Sequence, residues 1–388
     1  MNNSSSSFNF SALPSSEIVD VSALSRLFAD TTNSYKYLFF FFLIDILKRN
    51  DFDINLSISF QQIVVEMIAN AWYPHNYFKL SFGTQDKLTE KLDSLNLELS
   101  EPVLKFTDTD KKLLRNTIEK QSLDDIVKFL TRYVPYRLLC PFLEQELKIE
   151  NVDRGKGNKL DIAMPLIARK YFKDRRPLYC FNSVQYNQCN VLQINSDWAK
   201  YLKDNYAIVR GWASWEWLNY MQNKNPNIPN LVNKIFIPQR RGALQQQTQY
   251  WKTVLQKQSK TLCIYSGEEL DIKNISLDHY IPWSFVAHDQ LWNLIPVRKE
   301  INSSKSNNLP SDQYFEKFVH LQYIGLTTYY QEFSRRKFLN QVDSYLNDLN
   351  IDLDGLLDYQ KLRNAYQITM QPLINLAEKQ GFSTNWTY

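Results

Sequence analysis

The chain has 388 residues, 44% apolar and 14% aromatic, enough for a sizeable core in two domains or in one large domain with an insert. Its net charge of +4 permits nucleic-acid binding without demanding it. Only 9 glycines, with no GxGxxG and no GxxxxGKS/T, argue against a glycine-rich phosphate loop and a nucleotide-driven motor.

Residues 1–16 are Asn- and Ser-rich without a basic stretch, and read as a disordered leader rather than a signal peptide. From 17 to 250 the pattern is mostly helical. Thr31 to Ser34 offer caps for a helix over the run YLFFFFLIDIL at 37–47. That run is about half a membrane span and carries Asp45, so it predicts a buried helix and no membrane anchor. Apolar spacing predicts further helices over 58–72, 108–120 and 122–133, with a proline-bounded break at 134–143.

Residues 150–160 are polar and read as a loop, and 178–194 has the β-propensity and turn residues of a small hairpin. Helices are expected again over 196–205 and 212–223, the second with Trp212, Trp215, Leu218 and Met221 as a core stripe. A Gln-rich helix with Trp251 follows over 242–257. Four scattered cysteines (Cys140, Cys180, Cys189 and Cys263) form no CxxC pair, which fits a reducing cytoplasm and argues against a disulfide scaffold.

The stretch from Cys263 to Pro310, CIYSGEELDIKNISLDHYIPWSFVAHDQLWNLIPVRKEINSSKSNNLP, is the one from which chemistry can be argued. Asp278 and His279 end a short β-branched run, so on a strand their side chains point to opposite faces. One can hold a metal while the other, an imidazole with a pKa near neutrality, takes a proton from water. Asn302, at the start of a possible helix, offers a neutral oxygen as a second ligand, which with Asp278 suits Mg²⁺ or Mn²⁺. Asn293 sits between them in LWNLIPV.

This order of residues resembles the HNH, or ββα-metal, endonuclease family, two strands and a helix gripping one divalent ion. The resemblance implies His279 as general base, Asp278 and Asn302 as metal ligands, and Asn293 as the brace of the loop and of the histidine. Many family members carry two CxxC pairs around a zinc; here Cys263 stands alone, which argues against a structural zinc. Lys305, three residues after Asn302, is a candidate phosphate contact, as are Arg240 and Arg241. The other basic clusters, 173–176 and 335–337, read as solvated faces. So does the loop residue His288.

The expected architecture is mainly α with a small α+β module: a helical body at 17–250 for recognition or regulation, an HNH nuclease module at 251–312, and C-terminal helices at 313–388 packing on the body. The expected function is metal-dependent cleavage of phosphodiesters, in DNA, by a cytoplasmic protein of the restriction or anti-phage kind. A protein partner or homodimer would dock through the helical region. The alternatives are a non-catalytic nucleic-acid-binding or scaffold protein with a decayed module, and an RNA-directed nuclease.

Overall fold

The aromatic run at 37–47 lies in the helix Tyr35–Arg49, where every side chain from Tyr37 to Ile44 is buried. A helix apolar around its whole circumference needs neighbours on several sides, and the helices Phe60–Trp72 and Tyr206–Lys224 pack on it. Its one carboxylate, Asp45, accepts from Arg210 at 2.7 and 3.0 Å and from the Tyr206 hydroxyl at 3.0 Å, so the charge is compensated where it stands. Among the described residues no helix is long and apolar enough to cross a membrane.

The structure, a computed structural model, describes residues 13–95, 108–152, 158–236 and 244–388. Its contacts divide the chain into two units, Met1–His75 with Ser81–Pro226, and Asn76–Leu80 with Asn227–Tyr388. Residues 1–12 of the expected leader, and Arg240 and Arg241, lie outside the described residues. The end of that leader is not disordered. Leu13 is buried and the Pro14 carbonyl accepts from the Tyr201 hydroxyl at 2.7 Å.

In the first unit, the hairpin expected at 178–194 forms from strands Tyr179–Phe181 and Val191–Ile194, antiparallel with Cys180 opposite Gln193. A third strand, Ser57–Ser59, pairs with the other side of Val191–Ile194, Ile58 facing Leu192. Ser59 then starts the helix Phe60–Trp72 through a capping box with Gln62, which satisfies two otherwise orphaned amides. The loop expected at 150–160 ends earlier than it reads, because a helix runs over Lys159–Lys170 with Pro165 inside it. Arg137, on the short helix Val134–Arg137, pairs in bidentate fashion with buried Asp161 of that helix, both bonds 2.9 Å.

The expected stripe on the helix Tyr206–Lys224 is half wrong. Trp212 and Met221 are buried, but Trp215 is 53% exposed and Leu218 half-buried. At 100° per residue a spacing of three drifts around the helix; the buried arc instead runs from Trp212 through Val209, Tyr220, Ala213 and Trp217 to Met221. Two members of the supposed basic face at 173–176 are paired, Arg175 with Glu146 and Arg176 with Asp197.

The second unit is built on a two-stranded antiparallel ribbon, Ile275–His279 with Leu294–Arg298, followed directly by the helix Lys299–Lys305. The ribbon packs in one core with the helices Gln245–Lys257, Phe315–Glu332, Arg335–Asp348 and Tyr359–Lys379, to which Trp251, Ile295, Phe318, Val342 and Tyr366 belong. The helices after 313, expected to pack on the body, thus complete the module's own core. So small a ribbon and helix cannot bury an apolar interior by themselves.

Three of these helices also fix the start of the second strand. Trp251 Nε1 donates to the Leu294 carbonyl at 3.0 Å, Gln322 Nε2 to the same carbonyl at 2.9 Å, and the Tyr366 hydroxyl to the Trp292 carbonyl at 3.0 Å. Leu294 is the residue opposite His279 in the ribbon. The helical frame therefore reaches the backbone partner of the histidine directly.

Candidate active site

The strand Ile275–His279 ends in three buried residues, Leu277, Asp278 and His279. Alternation along the strand sends Asp278 and His279 to opposite faces. Their partners differ accordingly: Asp278 meets the following helix and Tyr265, whereas His279 meets the loop before the second strand.

Asn293 closes that loop. Its Oδ1 accepts from the Ile281 amide at 2.9 Å and its Nδ2 donates to the Ile281 carbonyl at 2.8 Å, while its own carbonyl accepts from the Tyr280 amide at 2.9 Å. The side chain, fully buried, so extends the ladder by one pseudo-rung beyond the paired residues His279 and Leu294. Buried backbone groups that would lose a ladder partner keep one. The turn that begins at His279 is clamped at its base.

Asp278 is 2% exposed, and both of its oxygens are engaged. Lys305 Nζ donates to Oδ1 at 3.0 Å and the Tyr265 hydroxyl to Oδ2 at 2.8 Å. Lys305 Nζ also donates to the His279 carbonyl at 2.7 Å, and its side chain is 0% exposed. Burial pushes the lysine's pKa down and the carboxylate pulls it back up. Burial and the Asp278 charge both push the Tyr265 hydroxyl well above its usual range, which keeps it a donor. The expectation that Lys305 reaches a phosphate is corrected by this burial. A lysine one helical turn after Asn302 faces inward because Asp278 awaits it there.

Asn302 Nδ2 donates to Ser276 Oγ at 2.8 Å and to the Leu277 carbonyl at 3.2 Å, which pins the helix across the first strand. Asp278 and Asn302 present oxygens, the donors a hard divalent ion takes. As arranged, however, the residues do not fit one at Asp278. An ammonium already neutralises the carboxylate, and a divalent ion beside it would meet several kcal/mol of repulsion. Among the described residues no group of three or more His, Cys, Asp or Glu is placed to hold a metal.

His279, 9% exposed in its side chain, has Nε2 at 2.9 Å from Asp289 Oδ1. Sequence reasoning passed over Asp289, which stands beside His288 in an unremarkable loop. Nor is His288 a solvated residue. It packs on the Trp292 ring at 5.3 Å, its Nδ1 accepts from the Gln290 amide at 3.3 Å, and burial and His279 push its pKa down to about 4. Trp292 is held in turn by Asp348 Oδ2 at 2.6 Å from its Nε1.

Residues 263–311 match the family model described as HNH endonuclease. No curated protein and no solved structure matches the chain.

Proposed function

From the HNH domain that the chain carries at 263–311, we propose that this protein is an endonuclease that hydrolyses phosphodiester bonds in DNA. His279 takes the proton of the attacking water, the water oxygen bonds to phosphorus, and the bond to the 3′-oxygen breaks. The leaving oxygen takes its proton from solvent. The observation that carries this reading is the double clasp of Asn293 on Ile281, at 2.9 and 2.8 Å, which fixes the turn leaving His279. A catalytic imidazole needs such fixity, since a small misplacement costs much of the rate.

HNH nucleases are generally metal-dependent, and Mg²⁺ or Mn²⁺ is the ion that the oxygens of Asp278 and Asn302 would favour. Since Lys305 holds Asp278, no step above is routed through an ion. The first unit would supply recognition or restraint, through DNA, a protein partner or a second copy, as in cytoplasmic restriction or anti-phage effectors. That role rests on analogy.

The same Lys305–Asp278 pair favours a second reading, a nucleic-acid-binding or scaffold protein whose module no longer cuts. Nicking of supercoiled plasmid by wild-type and His279→Ala protein, in Mg²⁺, Mn²⁺ or chelator, separates the two. Nicking that the substitution abolishes supports the nuclease; no cleavage of plasmid or of structured RNA in any metal supports the second reading. Cleavage of the RNA alone would reassign the substrate.

A further inference from the structure

We propose that Asp289 is a positioning residue for His279, holding the ring with its proton on Nε2 so that Nδ1 is the atom that accepts the proton from water. The inference rests on the nuclease reading of the domain and adds to it a residue that neither motif nor family match assigns.

The chemistry follows from the contact. An ionised carboxylate only accepts hydrogen bonds, so a neutral imidazole facing it at 2.9 Å through Nε2 carries its proton there. The other nitrogen then has the lone pair. A carboxylate on the far side of the ring also stabilises the imidazolium that forms when His279 takes up a proton.

An aspartate on a loop often makes an ion pair of little consequence. Three features set Asp289 apart. First, its partner is 9% exposed and Asp289 itself 24%, so the contact is largely withdrawn from water. Second, its backbone is tied down on both sides. The short helix Trp283–Val286 ends at Ala287 in the left-handed region, φ 52°, which turns the chain back toward His279. Asn230 Nδ2 donates to the Val286 carbonyl at 2.8 Å, and Lys234 Nζ donates to the Phe285 carbonyl, so the helix end is held from outside. Gln247 Nε2, from the helix Gln245–Lys257, donates to the Asp289 carbonyl itself at 3.0 Å. Third, the neighbouring ring of His288 spends its Nδ1 on the Gln290 amide and stays neutral, so it does not draw the Asp289 charge away from His279. A left-handed alanine costs about 1–2 kcal/mol, and the surrounding bonds hold it where Asp289 can reach the ring.

The test joins a spectroscopic and a kinetic readout. The chain has 4 histidines, so the His279 ring signals in ¹⁵N-histidine-labelled protein are assigned by their loss in His279→Ala. At alkaline pH, where imidazole is neutral, wild type is expected to show the proton on Nε2, and Asp289→Ala a mixture of the two tautomers. Asp289→Ala should lower kcat by roughly 100-fold, part of what a general base supplies, with KM and melting temperature near wild type. Asp289→Asn, which keeps an accepting oxygen, should fall between.

A wild-type ring protonated on Nδ1, or Asp289→Ala cleaving at the wild-type rate, overturns the proposal. If His279→Ala is inactive while Asp289→Ala is not, the nuclease reading stands and only this inference falls. If wild type cuts nothing, the nuclease reading falls, and the tautomers of wild type and Asp289→Ala still decide whether Asp289 sets the ring.

Discussion

Lys305 and Asp278 meet at 3.0 Å with side chains 0% and 3% exposed, an ion pair sealed inside the module at the carboxylate the motif would give to a metal. Two ions so buried are stable only together. Removing one partner of such a pair costs about 3–5 kcal/mol, because the other is left as an uncompensated charge.

Lys305→Met is therefore expected to lose about 3–5 kcal/mol in chelator, read by urea denaturation. Added Mn²⁺ should raise the melting temperature of this variant, whose carboxylate lacks a cation, and leave wild type nearly unchanged. Asp278→Asn combined with Lys305→Met should recover most of the loss, since the double change leaves no lone charge. Equal Mn²⁺ stabilisation of wild type and Lys305→Met would show that the lysine does not stand in the way of the ion.

Asn293→Ala removes both partners of the buried Ile281 amide and carbonyl, bonds of 2.9 and 2.8 Å. Each stranded group costs about 1–3 kcal/mol, so the variant should be roughly 2–6 kcal/mol less stable and should lose nicking. Asn293→Asp keeps an acceptor for the amide but sets a carboxylate against the Ile281 carbonyl, and is expected to fail nearly as badly. An Asn293→Ala protein with wild-type urea midpoint and wild-type nicking would remove the clamp from the account.

The sequence carried those features whose partners lie close in the chain, or whose pattern admits one environment. The run at 37–47 carries a single charged residue and reads as buried; Asp278 and His279 end the first strand of the ribbon, with Asn293 in the turn just before the second. What escaped depends on distant residues. The strand Ser57–Ser59 has three residues and no pattern of its own, and exists because Val191–Ile194 offers it an edge. Lys305 reads as a phosphate contact until Asp278 is seen beneath it, and nothing singles out Asp289 until the chain reversal at Ala287 brings it to His279. The later helices carry amphipathic patterns, but nothing in such a pattern names the surface it covers.

Gly325, on the helix Phe315–Glu332, faces the Tyr250 and Trp251 side chains of the helix Gln245–Lys257. A Cβ there would stand 2.8 Å from the Tyr250 hydroxyl and 3.1 and 3.2 Å from the Trp251 ring. Both rings are buried, and Trp251 is tied to the Leu294 carbonyl at 3.0 Å, so neither yields easily. Gly325→Ala should cost about 1–3 kcal/mol by overpacking. Because Leu294 faces His279 in the ribbon, cleavage should also drop. A variant as stable as wild type, or more so from its better helix propensity, would place slack between the helices that the structure does not contain.

Lys234 is buried with no carboxylate paired to it among the described residues; its ammonium donates to the Phe285 carbonyl and lies 5.1 Å from the centre of that ring. Burial pushes its pKa down to about 7 from 10.5. The unfolded chain holds this proton up to about pH 10.4 while the folded chain gives it up near neutrality. Between the two values the unfolded state binds more protons, so this group makes stability rise with pH. Below about 7 the folded state bears the full cost of an ammonium in the interior. Lys234→Met keeps the length of the side chain and removes the charge. Its stability advantage over wild type should be greatest in mild acid and shrink by a few kcal/mol as pH rises to about 10. Urea midpoints of both proteins across that range measure it, with the difference between the two cancelling the other titrating groups. A difference that stays constant with pH would mean that Lys234 keeps its proton in the folded state throughout.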